Sequence, residues 1–420
     1  MILPMAYFPK LQDVAAAKHI LNEVINDTPL IENIYLSERY HANIMLKRED
    51  LQVVRSYKIR GAYNKIRSLT PEQHQKGVVC ASAGNHAQGF AYSCQKLGIK
   101  GVVYMPTTTP KQKIEQVRMF GRENVEIVLV GDTFDASSDE ALKFCKENGM
   151  CFIHPFDDPK TIEGQATIGA ELLQQSMHHI DYIFVPIGGG GLAAGLSAYI
   201  SQISPDTKII GVEPLGAASM KASLDKGELV KLDEIDKFVD GAAVKQVGSY
   251  TYEICKKTLN KVIPIDEGKV CTTILELYNK SAIVCEPAGA LSMAALDSYA
   301  DEIKGKNVVC VVSGSNNDIT RTEEIRERSL LFEGLKHYFI IRFPQRSGAL
   351  LSFVQQVLGE NDDITHFSYS KKTNKEQGPA LIGIELQNRE DFEPLIKRME
   401  QYGFIYDYIN DSPNLFQFLI

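Results

Sequence analysis

VPIGGGGLAAGL, from Val185 to Leu196, sets an apolar strand against four consecutive glycines and a helix of small residues. Ordering glycine costs more conformational entropy than ordering any other residue, so four in series imply that something offsets the loss. A strand that ends in glycines and opens a helix presents bare N–H groups and the positive end of the helix dipole, which together suit a phosphate. A tight turn packed on a neighbour is the bland alternative. The same residues also match a dinucleotide fingerprint, with Gly189, Gly191 and Ala194 in G-x-G-x-x-G/A spacing and Glu213 placed to hold a ribose hydroxyl. Against a dinucleotide, the motif lies deep in the chain and Pro214 follows the acid. No charge falls between Tyr182 and Pro205, but Pro186, the glycines, Ser197, Ser201 and Gln202 interrupt that run, so it reads as a buried strand, loop and helix and not as a membrane span.

Outward from this stretch the pattern alternates. GVVCAS, GVVYMP, VEIVLVG, MCFIHPF, DYIFVPI, TKIIGVEP and NVVCVVSG are short apolar runs, most of them separated by amphipathic stretches. Continuous apolar strands alternating with helices predict an α/β fold with parallel sheets covered on both faces, and ligands then bind beyond the carboxyl ends of the strands. The 420 residues, 44% hydrophobic and 23% charged, are enough for two or three domains. A net charge of -8, spread along the chain, excludes a basic footprint for nucleic acid or an anionic membrane. Eight scattered cysteines, with no CxxC pair and no histidine cluster at metal spacing, fit reduced thiols in a cytoplasmic protein, and the first residues lack the pattern of a secretory signal.

Three further loops carry candidate chemistry. In RSYKIRGAYNKI, Arg55 to Ile66, the residues Ile59, Ala62, Tyr63 and Ile66 share a helical face, Ser56 is placed to cap it, and Lys58 falls in the first turn. There the helix dipole lowers an amine's pKa and favours the neutral nucleophile, although a solvated lysine is equally consistent with the composition. Gly61 inside that helix suggests close approach of another backbone or a ligand. ASAGNHAQG, Ala81 to Gly89, forms a polar turn before a helix that suits a carboxylate, with His86 reading as a donor or a packed ring rather than a base. VVSGSNND, Val311 to Asp318, places Ser313 at the tip of another strand.

SYKIRGA, SAGNHAQG, GGGGL and SGSN in this order resemble the pyridoxal-phosphate enzymes of the tryptophan synthase β type (fold type II), and within them the threonine/serine dehydratases. The resemblance spans essentially the whole chain. It implies that Lys58 is the catalytic residue and carries the cofactor covalently. It further implies that Asn85 partners the cofactor's phenolic oxygen, that Gly188, Gly189, Gly190, Gly191 and Leu192 hold its phosphate, and that Ser313 partners its pyridine nitrogen. Ser82, Ala83, Gly84 and His86 would line the substrate carboxylate. Tyr57 stands where many relatives have phenylalanine. In GVEPLGAASM, Ser219 replaces the aspartate of metal-binding racemase relatives beside Glu213 and Ala217, so no metal site is expected. Ala83 replaces the serine that would reprotonate the opposite face, which favours dehydration over racemisation.

After the charged stretch TRTEEIRERSLLFEG the order from His337 is strand, helix, strand, polar turn (TNKEQG), strand, helix, strand, a ferredoxin-like βαββαβ unit. HYFIIRFPQRSGALLSF resembles the opening of the ACT-like regulatory domain of biosynthetic threonine dehydratases, with a dimerisation or stability module as the alternative. The domains expected are therefore residues 1–334, catalytic, and 335–420, regulatory, with the boundary at Glu333 and Gly334. The resemblance implies elimination of L-threonine to 2-oxobutanoate and ammonia for isoleucine synthesis, with isoleucine or valine as effector and a homotetrameric assembly. An L-serine dehydratase, an NAD-dependent oxidoreductase using the glycines and Glu213, and a non-catalytic amino-acid sensor remain alternatives at this point.

Overall fold

The computed structural model describes residues 7–369 and 376–411. The chain divides into two compact units, Met1–Asp318 and Ile319–Ile420. Two open sheets build the first unit. The six-stranded sheet runs Leu30–Glu32, Asn43–Arg48, Asn307–Val312, Tyr182–Pro186, Lys208–Pro214, Lys261–Ile265 in spatial order. All its pairings are parallel except that of the edge strand Leu30–Glu32. The four-stranded sheet, Val125–Leu129, Gly101–Met105, Val78–Ala81 and Cys151–Phe152, is parallel throughout. Valine and isoleucine fill these strands because both faces are covered, by Ile183, Val185, Ile209, Val309 and Val311 in one core and by Val78, Cys80, Val103 and the helix residues Phe90 and Cys94 in the other.

The uncharged Tyr182–Pro205 run is the strand Tyr182–Pro186 followed by the helix Gly191–Ile203. Among the described residues no helix is long and apolar enough to cross a membrane. The MCFIHPF strand is shorter than predicted, because His154 Nδ1 accepts from the amides of Phe156 and Asp157 at 3.3 and 2.8 Å and curls the chain away after Phe152. The next helix starts at Pro159, where Asp158 Oδ1 caps the amides of Lys160 and Thr161. Ser56 does not cap the Lys58–Arg67 helix as expected. Tyr57 occupies that position without a capping side chain, and Ser56 Oγ is buried with no partner.

In the second unit the strands Lys336–Pro344, Asp363–Tyr369, Gln377–Glu385 and Ile405–Tyr408 form one antiparallel sheet. Helices Ala349–Gln356 and Phe392–Gln401 complete the βαββαβ order. Phe339, Ile341, Phe353, Ile382 and Leu395 make its core. Residues 373–375 of the TNKEQG turn lie outside the described residues. The helix Thr322–Phe332 belongs to this unit, and Glu333 and Gly334 form the turn between it and the sheet.

Candidate active site

Three strand ends and one helix start build the site. Tyr182–Pro186 delivers the four glycines, Val78–Ala81 delivers Ser82 to His86, and Asn307–Val312 delivers Ser313. Lys58 opens the helix Lys58–Arg67. A short antiparallel bridge between Ser56 and Gly314 joins the lysine's segment to the Ser313 loop, with Tyr57 N donating to Ser313 O at 3.1 Å and Ser315 N to Arg55 O at 2.9 Å. The turn into this bridge puts Arg55 in the left-handed region at φ 58°, a position that costs a non-glycine residue about 1–3 kcal/mol.

The glycines are required by what lies behind them. A Cβ on Gly189 would enter the Phe156 ring, one on Gly191 would come 3.0 Å from Phe156 Cα, and one on Gly188 would come 2.9 Å from Ala242 Cα. Gly190 adopts φ +91°, which a side chain would strain. Close packing on the rear and an open front thus coexist: among the described residues no backbone carbonyl accepts from the amides of Gly188, Gly189 or Gly190. Gly191 and Leu192 lie in the first turn of the helix, where the amides have no intrahelical partner. On the other side the loop is tied down, its Gly189 carbonyl accepting from Thr251 Oγ1 at 2.7 Å and from Gly248 N at 3.3 Å. A row of unpaired donors at a helix N-terminus fits a phosphate.

Lys58 Nζ donates to the Pro155 carbonyl at 3.2 Å and lies 5.2 Å from the centre of the Tyr57 ring. Burial lowers its pKa to about 8, and the nearby Glu286 carboxylate opposes the fall. Ser313 is 2% exposed. Asn85 is held on both sides: its Nδ2 donates to Glu286 Oε1 at 2.6 Å, and its Oδ1 accepts from Asn316 Nδ2 at 2.6 Å. Burial raises Glu286 to about 7, Asp240 adds to the rise, and the Asn85 hydrogen bond opposes it.

His86 is no base here. Its Nε2 donates to the Ile153 carbonyl at 2.9 Å, and burial together with the Lys58 charge pushes its pKa down to about 3. Ser82, Ala83 and Gly84 remain partly exposed, with Gly84 N donating to Ser82 Oγ at 3.2 Å. Glu213 is fully buried and its two oxygens accept from Met220 N and Lys221 N at 2.7 and 2.8 Å. That carboxylate engages the first turn of the helix Ser219–Lys226, so the ribose role is replaced by a structural one. Glu286 and Asn316 were not singled out in the sequence, although Glu286 is the lone acid in the apolar run around Pro287 and Asn316 stands inside the SGSN motif.

A buried amine of lowered pKa, a row of amides that no backbone carbonyl engages and polar strand-end loops define a cofactor-dependent α/β enzyme. The model for "Pyridoxal-phosphate dependent enzyme" matches residues 21–314, and that for "C-terminal regulatory domain of Threonine dehydratase" matches 327–419. The "L-threonine dehydratase biosynthetic IlvA" of Halalkalibacterium halodurans is 57% identical, over 98% of this chain and 99% of that protein. Its Bacillus subtilis counterpart is 55% identical over 98% and 99%. The processed form of threonine deaminase isoform 2 from Solanum lycopersicum is 39% identical and superposes with a TM-score of 0.72, covering 78% of this chain and 97% of that one. The chain belongs to the pyridoxal-phosphate-dependent enzymes and, within them, to the biosynthetic threonine dehydratases with a C-terminal regulatory domain.

Proposed function

We propose that the chain eliminates water from L-threonine to give 2-oxobutanoate and ammonia, and that isoleucine restrains this reaction through the second unit. The observation that carries the reading is the Ser56–Gly314 bridge, which ties the segment carrying Lys58 to the strand-end loop carrying Ser313. The bound cofactor supplies an aldehyde that captures amines and a ring that draws electron density from the substrate's Cα. Lys58 would hold the cofactor, and its Nζ would take the substrate's α-proton, a task suited to an amine whose pKa burial brings to about 8. The amides of Gly188 to Leu192 would hold the phosphate, and Asn85 Nδ2 would donate to the phenolic oxygen. Ser313 offers the pyridine nitrogen a neutral hydroxyl, which does not support a full positive charge there as an aspartate would. The loop Ser82, Ala83, Gly84 and His86 receives the substrate carboxylate, and Ala83 has no proton to return to the opposite face.

Residues 335–420 form the proposed effector-binding region. The eight free cysteines, seven of them buried, support a reducing cytoplasm. Exposed apolar side chains on the first unit, Ile34 at 68%, Tyr278 at 61% and Val284 at 53%, supply surface for the proposed homotetramer. The test is ammonia release from threonine and serine, with and without isoleucine and valine. Lys58→Ala is expected to lose turnover and the yellow colour together. Full threonine turnover in that variant would exclude the assignment.

A further inference from the structure

Asn316 is bonded to Asn85 and also to Glu286, the other group that orients it. Its Nδ2 donates to Asn85 Oδ1 at 2.6 Å and to the Val54 carbonyl at 2.9 Å, and its own amide donates to the Glu286 carboxylate. The two ends of an asparagine amide are chemically opposite, one donating and one accepting. With Oδ1 held by Asn316 and one N–H given to Glu286, Asn85 keeps a second N–H to offer an oxygen in the cleft. Released from Asn316, the amide loses the bond that fixes its carbonyl end and is held only through Glu286, so its second N–H no longer keeps a single aim.

Asn316 is also close to the second unit along the chain. The division between units falls at Asp318–Ile319, two residues further on. Beyond it the helix Thr322–Phe332 is fastened to the regulatory sheet: Tyr338 Oη donates to Glu327 at 2.6 Å, Lys336 pairs with Glu327 at 3.5 Å, and Arg326 pairs with Glu385 at 2.8 Å. Lys336 and Glu385 face each other across paired strands. A shift of that sheet therefore carries the helix with it. Only residues 317–321 separate the fastened helix from Asn316, so slack in the backbone is small.

We propose that Asn316 is a positioning residue for the reaction, fixing which way the Asn85 amide faces, and that it is the residue through which the regulatory unit alters that facing. The inference rests on the reading of Asn85 as the partner of the cofactor's phenolic oxygen. Its test uses the full-length holoenzyme and the visible absorbance of the bound cofactor, with circular dichroism to confirm folding. In the unsubstituted enzyme, isoleucine is expected to shift that absorbance. Asn316→Ala shows the shifted spectrum without isoleucine, responds no further to it, and loses about tenfold in turnover, the equivalent of one lost hydrogen bond. Asn316→Asp, which keeps the size but not the donor, behaves in the same way. If Asn85→Ala changes the spectrum while both Asn316 variants leave it and the isoleucine response intact, the proposal is overturned. If Asn85→Ala leaves the spectrum unchanged, the reading of Asn85 itself fails.

Discussion

Glu286 bears on the charge of Lys58, and the consequence is a pH dependence that can be measured on the protein stripped of cofactor. Capture of an aldehyde requires the neutral amine, which burial favours by lowering the pKa to about 8 from an ordinary 10.5. The rate of cofactor rebinding is therefore expected to climb with pH and level off above about 8. Glu286→Gln removes the negative charge that opposes the fall, so the midpoint should move to lower pH; an unmoved or raised midpoint would count against the pairing. The lysine was legible in the sequence as a first-turn residue, but the reason offered there, the helix dipole, is not the main one. Burial dominates, and the amine's surroundings include Pro155 and Glu286, which approach from distant parts of the chain, beside the ring of the preceding Tyr57. His86 was legible as a donor because its place in a helix's first turn already disfavoured the protonated ring.

The helix that carries Lys58 is clamped by its neighbour. Gly61 and Gly164 let the helices Lys58–Arg67 and Pro159–Gln175 cross closely, since a Cβ at Gly61 would meet the Thr161 carbonyl at 2.9 Å and one at Gly164 the Arg60 carbonyl at 2.5 Å. Gly61 left another backbone or a ligand open as the close neighbour, and the structure contains the former. Two residues past Lys58, Arg60 is fully buried, with Glu49 Oε2 at 2.8 Å and Glu171 Oε1 at 2.6 Å, and Lys47 completes the cluster on Glu171. Nothing local in KIRGA distinguishes this arginine from a solvated one, because its partners lie on a strand-end turn and a distant helix. Arg60→Leu would leave two buried carboxylates short of a cation and should cost about 3–5 kcal/mol of stability. Burial alone would raise the Glu49 pKa, but the Arg60 charge and hydrogen bonds bring it below the ordinary value. Its contribution is thus present above the unfolded carboxylate range and is lost as pH falls. The stability gap between Arg60→Leu and the unsubstituted protein should accordingly narrow on acidification, as thermal melts across that range would show; a gap that widens would contradict the cluster's assigned charges.

At the scale of the molecule, chemistry and control occupy separate units joined by continuous chain. The ferredoxin-like order was readable because each strand and helix of the second unit keeps its own period, and the parallel sheets of the first were readable for the same reason. What no periodicity displays is which strand ends share a cleft; the quartet of motifs supplied that through resemblance. Removing residues 319–420 is expected to leave threonine turnover and abolish its inhibition by isoleucine, measured as ammonia release; persisting inhibition would move the effector to the first unit. The Ser56–Gly314 bridge also has a meaning in time. The ribosome releases the lysine's segment early and its partner loop near the end of the first unit, and such distant pairings form late. A nascent chain halted before the strand Asn307–Val312 carries its lysine, its glycines and its asparagine, yet has no edge against which to set them. The enzyme can thus bind its cofactor only as that unit nears completion, so a chain halted before that strand holds no working centre.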